Sequence, residues 1–139
     1  MVLTRTRWTI FTLTVLMTLI LTKSVSTAQP DTFLSPDMLA IQGRWVRTDA
    51  PYVIELRAAP DNSLKATYFN RKFIHVENTE TANKGGIQYV MITLQDTNYP
   101  GSQYLLGYDR SQDRLNGTYI LGNTKQRFEV SFTRKIPTQ

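Results

Sequence analysis

Short runs of alternating apolar and polar residues dominate the chain from Gly43 onward, and no stretch there repeats with a helical period. Such alternation is typical of strands that bury one face. Turn-forming residues separate the runs, in the segments APDNS, NKGG, NYPGS, SQD and GNT. The pattern therefore predicts eight strands, near residues 43–48, 52–58, 64–69, 73–81, 87–95, 103–109, 114–121 and 126–134.

The links between these runs are too short for parallel crossovers, so neighbours in sequence should pair antiparallel. We expect an all-β fold, an eight-stranded antiparallel up-and-down (meander) barrel, because closure removes exposed sheet edges. Ahead of the first strand, SPDML predicts a short N-terminal helical turn with Ser35 as its cap. The predicted organisation is a tail with this turn at 29–40 and a β-barrel domain at 41–136.

Side-chain parity along each strand predicts which residues face the barrel interior. The fourth strand leaves two choices, either Ile74 with Val76 or Phe73 with His75. The other predicted inward residues are Trp45, Arg47, Tyr52, Ile54, Leu56, Leu64, Ala66, Tyr68, Tyr89, Met91, Tyr104, Leu106, Tyr108, Leu115, Gly117, Tyr119, Phe128, Val130, Phe132 and Arg134.

In a closed meander the first strand begins and the eighth strand ends at the same rim. Trp45 lies near that beginning and Arg134 near that end, both on the inward parity. An arginine laid over the indole would close this rim through packing and a cation–π contact. We therefore interpret Trp45 and Arg134 as a structural barrel seal.

The opposite rim, which we call the mouth, lies where strands one, three and seven end and strands two and six begin. The loops 48–51, 70–72, 96–102 and 122–125 surround it. Tyrosine supplies a flat apolar wall with a hydroxyl, and arginine suits an anionic group. The predicted ligand-binding residues are Arg47, Tyr52, Tyr68, Tyr104 and Tyr119. The open alternative is that these rings only cap a filled core.

Residues 1–28 have the composition of a signal peptide. Arg5 and Arg7 precede 15 uncharged residues at 8–22, and small residues at Ser26 and Ala28 suit cleavage after Ala28. The uncharged stretch includes five threonines and falls short of the roughly 20 apolar residues of a membrane span. We expect a periplasmic or secreted protein without a stable membrane anchor after signal removal, the alternative being a retained anchor.

Charge and residue usage limit the functional classes. Without Arg5, Arg7 and Lys23, 13 Lys and Arg remain against 11 Asp and Glu, which does not suggest a nucleic-acid partner. The chain has no cysteine and one histidine, His75, so neither a metal site nor a Ser–His–Asp triad is expected. Outward parity of Glu55, Glu77, Glu80 and Glu129 disfavours acid–base catalysis. We predict a protein that is not an enzyme and that uses no cofactor.

The G-x-W at 43–45 and an arginine on the last strand, over eight meander strands, resemble the calycin barrels: lipocalins, fatty-acid-binding proteins and avidins. The resemblance covers residues 41 to 135. LKATYF at 64–69 is similar to the L-x-G-T-Y strand of avidin-like proteins, whose tyrosine hydrogen-bonds the ligand. The resemblance implies this role for Tyr68 and a small-molecule ligand, anionic or amphipathic, at the mouth.

A second resemblance is to bacterial periplasmic inhibitors of secreted metalloproteases, which are also eight-stranded barrels with a G-x-W. The segment DTFLSPDMLAIQGRW at 31–45 is similar in layout to their N-terminal tail. This resemblance implies a protein partner, a protease bound through the tail, as the alternative function.

Overall fold

The computed structural model describes residues 34 to 136, a nearly closed antiparallel barrel with one short helix. The elements are α1 (Pro36–Ile41), β1 (Gly43–Arg47), β2 (Val53–Ala58), β3 (Leu64–Asn70), β4 (Lys72–Ile74), β5 (Val76–Lys84), β6 (Ile87–Asp96), β7 (Tyr99–Asp109), β8 (Arg114–Ile120) and β9 (Arg127–Arg134). The strands form one sheet in the order β4-β3-β2-β1-β9-β8-β7-β6-β5. The predicted fold class is confirmed, and the predicted signal peptide lies outside the described residues.

The strand count is nine rather than eight because the predicted strand 73–81 is divided at His75. Its first part, β4, pairs with β3, whereas its second part, β5, pairs with β6. The His75 carbonyl accepts a hydrogen bond from the Gln95 amide where the partner changes. β4 and β5 stand at the two ends of the strand order, so this bent segment brings the ends of the sheet together.

The barrel interior is filled by side chains from every strand. Its fully buried members include Trp45, Tyr68, Tyr104 and Phe132. On the bent segment Ile74 is buried and Phe73 is exposed, which decides between the two parities open for this strand. Within residues 34 to 136, no helix is long and apolar enough to span a membrane.

The predicted parity of β6 is wrong. Val90, Ile92 and Leu94 are buried, whereas Tyr89 and Met91 lie on the outer face and are only partly covered. The sequence IQYVMITL is apolar on both faces, so alternation could not identify the inward one. Phe128 of β9 has the predicted inward parity, which it shares with Val130 and Phe132. It lies at the mouth, however, and 39% of its surface is exposed.

Helix α1 begins at the predicted cap, where the Ser35 hydroxyl accepts from the Met38 amide at 3.2 Å and Pro36 opens the first turn. The helix is fixed to the barrel at several points. The Ser35 amide donates to Asn62 Oδ1, and Asp37 accepts from Arg110 and from Asn83. The Gln42 side chain accepts from the Ala58 amide. These bonds hold the helix across the rim opposite the mouth.

The predicted stacking of Arg134 on Trp45 is present, with the guanidinium carbon 4.2 Å from the ring centroid. Arg134 also donates to the carbonyls of Ala40 and Gln42 and forms an ion pair with Asp113. The Trp45 indole donates to the Ile41 carbonyl at 3.0 Å. Together the two side chains satisfy carbonyls that the end of a helix leaves without partners.

Gly43 makes this arrangement possible. Its φ of +135° disfavours a residue with a side chain, and a Cβ here would lie 2.6 Å from Arg134 Nη1. The G-x-W spacing therefore has a local cause, because the glycine leaves room for the arginine that covers the tryptophan.

Trp45→Ala should lower the free energy of unfolding by about 3–5 kcal/mol, since it empties a large aromatic site. Arg134→Ala should cost less. Because the groups touch, a double-mutant cycle by urea denaturation should give a coupling of about 0.5–3 kcal/mol. Arg57→Ala, an arginine with 77% of its side chain exposed, is the matched control and should be additive with Trp45→Ala. Additive losses for Trp45 and Arg134 would contradict the stacking.

Candidate functional site

The five residues predicted at the mouth do come together. Tyr68 on β3 and Tyr104 on β7 meet across the interior, with their hydroxyls 3.1 Å apart. The Tyr104 ring packs on Tyr119 of the adjacent strand with centroids 4.6 Å apart. The Tyr52 ring contacts Tyr68 edge to face at 6.2 Å. The rings form one continuous aromatic cluster inside the mouth.

This cluster has two layers. The inner layer, Tyr68 and Tyr104, is 1% and 0% exposed, so these rings fill the lumen. The outer layer retains access to solvent and comprises Tyr52, Tyr99, Tyr119 and Phe128, with Tyr119 the most covered at 9%. The space that an open cup would offer a ligand is thus occupied by the protein's own side chains, and the accessible surface is a shallow aromatic floor.

Arg47 lies at the edge of this floor. Its guanidinium carbon is 5.4 Å from the centroid of the Tyr52 ring, and only 12% of its side chain is exposed. Nε and Nη2 donate to the two carboxylate oxygens of Asp49 at 2.6 and 3.0 Å. The fork of the arginine is thus engaged by a carboxylate in the bidentate geometry that favours such pairs. Asp49 itself is 60% exposed.

The electrostatics of the cluster follow from burial and from Arg47. Burial raises the pKa of Tyr104 to about 12, although the nearby Tyr68 hydroxyl and Arg47 oppose the shift. Burial also raises the pKa of Tyr68 above its usual range, and that of Tyr119. The hydrogen bond from Arg47 lowers the pKa of Asp49. At neutral pH the mouth therefore presents neutral phenols beside one ion pair.

Three residues of the mouth, Tyr99, Asp49 and Phe128, are not among the predicted ligand-binding residues, although parity predicts Phe128 to face inward. Tyr99 contacts Tyr68 at 5.8 Å and accepts a hydrogen bond from the Asn70 side chain at 2.6 Å. It was assigned to the loop 96–102, but β7 begins at Tyr99, because a short turn at 97–98 and a bulge after Leu94 let the strands continue. Nothing in the sequence QDTNYP at 95–100 indicates the bulge or the short turn. Asp49 lies in the predicted loop 48–51, two residues after Arg47, and this short spacing is the sequence signal for the ion pair between them.

The acidic residues considered for catalysis have their side chains on the outer surface of the barrel and not in its interior. Glu55 is bonded to Arg57 and Glu80 to Asn78 on the outer surface, and Glu77 and Glu129 are exposed. His75 is exposed, and its amide donates to Asp96. In the part of the chain from 34 to 136, no three histidine, aspartate or glutamate side chains are grouped closely enough to hold a metal ion.

A hollow of about 400 Å³ lies on the outer surface of β6, β7 and β8. It forms above Gly107, where a side chain is missing and the Tyr89 ring lies alongside. Its polar residues are occupied within the protein, since Asp109 accepts from Ser111 and Gln112, and Arg110 bonds to Asp37. This hollow brings together none of the predicted site residues.

Comparison of the chain with protein-family models, with curated proteins and with solved structures gave no match.

The buried phenols predict a loss of stability at high pH. An unfolded tyrosine ionises near pH 10, whereas Tyr104 in the folded state ionises near pH 12. Between these values the unfolded chain releases protons that the folded chain retains, so the free energy of unfolding should fall as pH rises. Urea denaturation across this range should show a smaller decline for Tyr104→Phe than for the wild type. Parallel curves would contradict the assignment.

Proposed function

We propose that the protein is an exported, non-catalytic barrel that binds a small anionic and amphipathic molecule at its mouth. The observation that carries the proposal is the placement of Arg47, a largely covered cation that lies against Tyr52 and beside the tyrosine cluster. The calycin-like combination of Gly43, Trp45 and Arg134 at the opposite rim supports the same reading, since it closes one end and leaves the mouth as the accessible one.

Asp49 indicates which ligand group Arg47 would accept. Its carboxylate engages the arginine with two hydrogen bonds, and it does so from an exposed position where a ligand's own carboxylate or sulfonate could replace it. Exchange of one anion for another keeps the buried side of Arg47 neutralised throughout. The cost of releasing Asp49 is small, because an exposed carboxylate regains its hydration.

The filled lumen limits the shape of the ligand. A long chain that must enter the barrel would have to displace Tyr68 and Tyr104, whose hydroxyls bond to each other. A compact, flat molecule needs no such displacement, because it can lie on Tyr52, Tyr99 and Phe128 while its anionic group reaches Arg47. We therefore favour a small aromatic or cyclic anion over a fatty acid.

Anilinonaphthalene sulfonate has this chemistry, and its fluorescence rises in apolar surroundings. It should bind the wild type, and Arg47→Met should weaken binding about tenfold or more, since a charge-assisted bidentate contact contributes about 1.5–3 kcal/mol. Asp49→Asn should strengthen binding, because the competing carboxylate is lost. Titrations monitored by fluorescence would measure both effects.

The matched control is Arg110→Met, which breaks an ion pair with Asp37 at the opposite rim and should leave dye affinity unchanged. A second control is Phe73→Ser, which removes an exposed phenylalanine on the outer surface. Its dye affinity should equal that of the wild type if the dye binds at the mouth. Equal affinity of Arg47→Met and Arg110→Met, with both folded by circular dichroism, would overturn the mouth as the binding site.

A second candidate function is protease inhibition through the N-terminal tail. The observation that favours it is the anchoring of Ser35 and Asp37 to the barrel, directly after the predicted tail residues 29–33 in the sequence. Residues 29–33 themselves lie outside the described structure. Ser35 and Asp37 are hydrogen-bonded to the barrel, so their polar groups are not available to a protease. Inhibition would therefore depend on residues 29–33.

Removal of residues 29–33 from the mature chain tests this candidate. If the tail acts on a protease, the shortened protein should lose inhibition of a secreted bacterial zinc metalloprotease, measured by casein hydrolysis. Dye binding at the mouth and the melting temperature should stay unchanged, because the helix and its anchors are retained. If the mature chain with residues 29–33 intact does not inhibit the protease, the candidate function is rejected.

A further inference from the structure

The outer face of β1 to β4 carries a row of apolar side chains that the described residues 34 to 136 cover only in part. The register places Val46, Val53, Phe69 and Phe73 side by side across the four strands. Phe73 is 75% exposed, and its ring contacts Phe69 edge to face at 5.5 Å. Contiguous exposed apolar patches, unlike single exposed apolar residues, mark sites of interaction.

Basic residues surround this row, and we call the whole surface the basic wall. Arg44 lies one row away on β1, and Arg57 is paired with Lys65 across β2 and β3. Lys135 follows β9, and its amide donates to the Arg44 carbonyl. Thr133 of β9 is paired with Val46 and with Arg114 of β8, so Arg114 lies at the end of the same row. Among the outward side chains of the described strands β1 to β4, the single acidic residue is Glu55, which bonds to Arg57 and lies opposite Arg44. Glu77 of β5 lies at the edge of the surface, in a recess that Lys65 also lines.

Two recesses flank the Phe73 ring. One, of about 110 Å³, is lined by Arg44, Val53 and Phe69, and the other, of about 310 Å³, by Arg57, Lys65 and Thr67; Glu55 borders both. Each recess thus combines an apolar wall with at least one cation. A recess of this size accommodates single side chains.

We propose that the basic wall binds an acidic segment of a partner protein, which places apolar side chains beside Phe73 and carboxylates against Arg44 and Lys65. Charge complementarity identifies the partner as acidic, since the wall has five basic residues around the one carboxylate of Glu55, whereas residues 29–139 have only two more basic than acidic residues. The exposed aromatic ring at its centre supplies the anchor that such interfaces depend on. This surface is separate from the mouth and independent of the function proposed for it.

The shape of the wall favours an extended protein segment over a lipid surface. The apolar row crosses four strands, so it follows the curvature of the barrel and spans three strand spacings, about 14 Å. About four residues of extended chain cover this distance, and such a chain can bend with the wall. A flat membrane would reach only part of the row.

The test uses a fluorescein-labelled peptide of about ten alternating glutamate and leucine residues, long enough to cross the row. Fluorescence anisotropy should show saturable binding that weakens as the ionic strength rises to about 0.15 M. Arg44→Glu and Lys65→Glu, each reversing one charge, should weaken binding about tenfold. Phe73→Ser should weaken it by about the same factor.

Two control variants lie outside the basic wall, on β7 and at the end of β5. Leu105→Ser removes an exposed leucine and Lys84→Glu reverses an exposed charge there, and both should keep the wild-type affinity. Two control peptides, one with serine for leucine and one with lysine for glutamate, should bind weakly. Circular dichroism shows whether each variant is folded.

Absence of saturable binding to the glutamate–leucine peptide would overturn the proposal. So would equal losses for the basic-wall variants and the two control variants, because binding would then not be located at Phe73. Phosphatidylglycerol vesicles provide the remaining comparison. If they sediment the wild type but not Phe73→Ser while the peptide does not bind, the basic wall is a membrane surface and the partner-protein proposal fails.

Discussion

The contact between Arg134 and Trp45 is the interaction on which the rest of the barrel depends. It joins the last strand to the first, and the same two side chains satisfy the carbonyls of Ala40, Ile41 and Gln42 at the end of α1. Asp113, from the turn before β8, neutralises the arginine and accepts from the Tyr108 hydroxyl, while the Tyr108 ring packs against Trp45. One cation therefore ties together the helix, both terminal strands and a distant turn, and a chain without disulfides relies on such a junction.

The filled interior is the second constraint, and it decides where function can lie. Tyr68 and Tyr104 cross the lumen and share one hydrogen bond between their hydroxyls, and their buried rings leave little space below the rim. A barrel of this width has room either for packed side chains or for one small ligand, and here side chains take the room. Recognition is therefore confined to surfaces: the aromatic floor at the mouth and the outer wall.

Much of this arrangement follows from the sequence alone, and the exceptions have physical causes. Alternation sufficed for Trp45, Tyr68 and Tyr104, because a polar residue directly precedes each of them on the opposite face of its strand, namely Arg44, Thr67 and Gln103. It failed for β6, where both faces are apolar and tertiary packing alone selects Val90 and Ile92. It also missed the change of partner at His75 and the bulge after Leu94, since irregular pairing is a property of two strands together and is not encoded in either one. Parity predicts that the tyrosines cluster at the mouth. It does not predict that Tyr68 and Tyr104 fill the interior, because that depends on side-chain rotamers and ring contacts.

The mouth and the basic wall share the same two strands, and this makes register the common requirement of both. Arg47 and Tyr52 point to the mouth, while their neighbours Val46 and Val53 point to the wall and pair with each other across β1 and β2. Side chains alternate with a period of two, so a slip of one residue would place valines at the mouth and a charged arginine on the apolar row. The pairing of Trp45 with both Ile54 and Arg134 opposes such a slip, because Trp45 has its full set of contacts only in this register. The residues that close one rim thus also determine, at a distance, which side chains each surface presents.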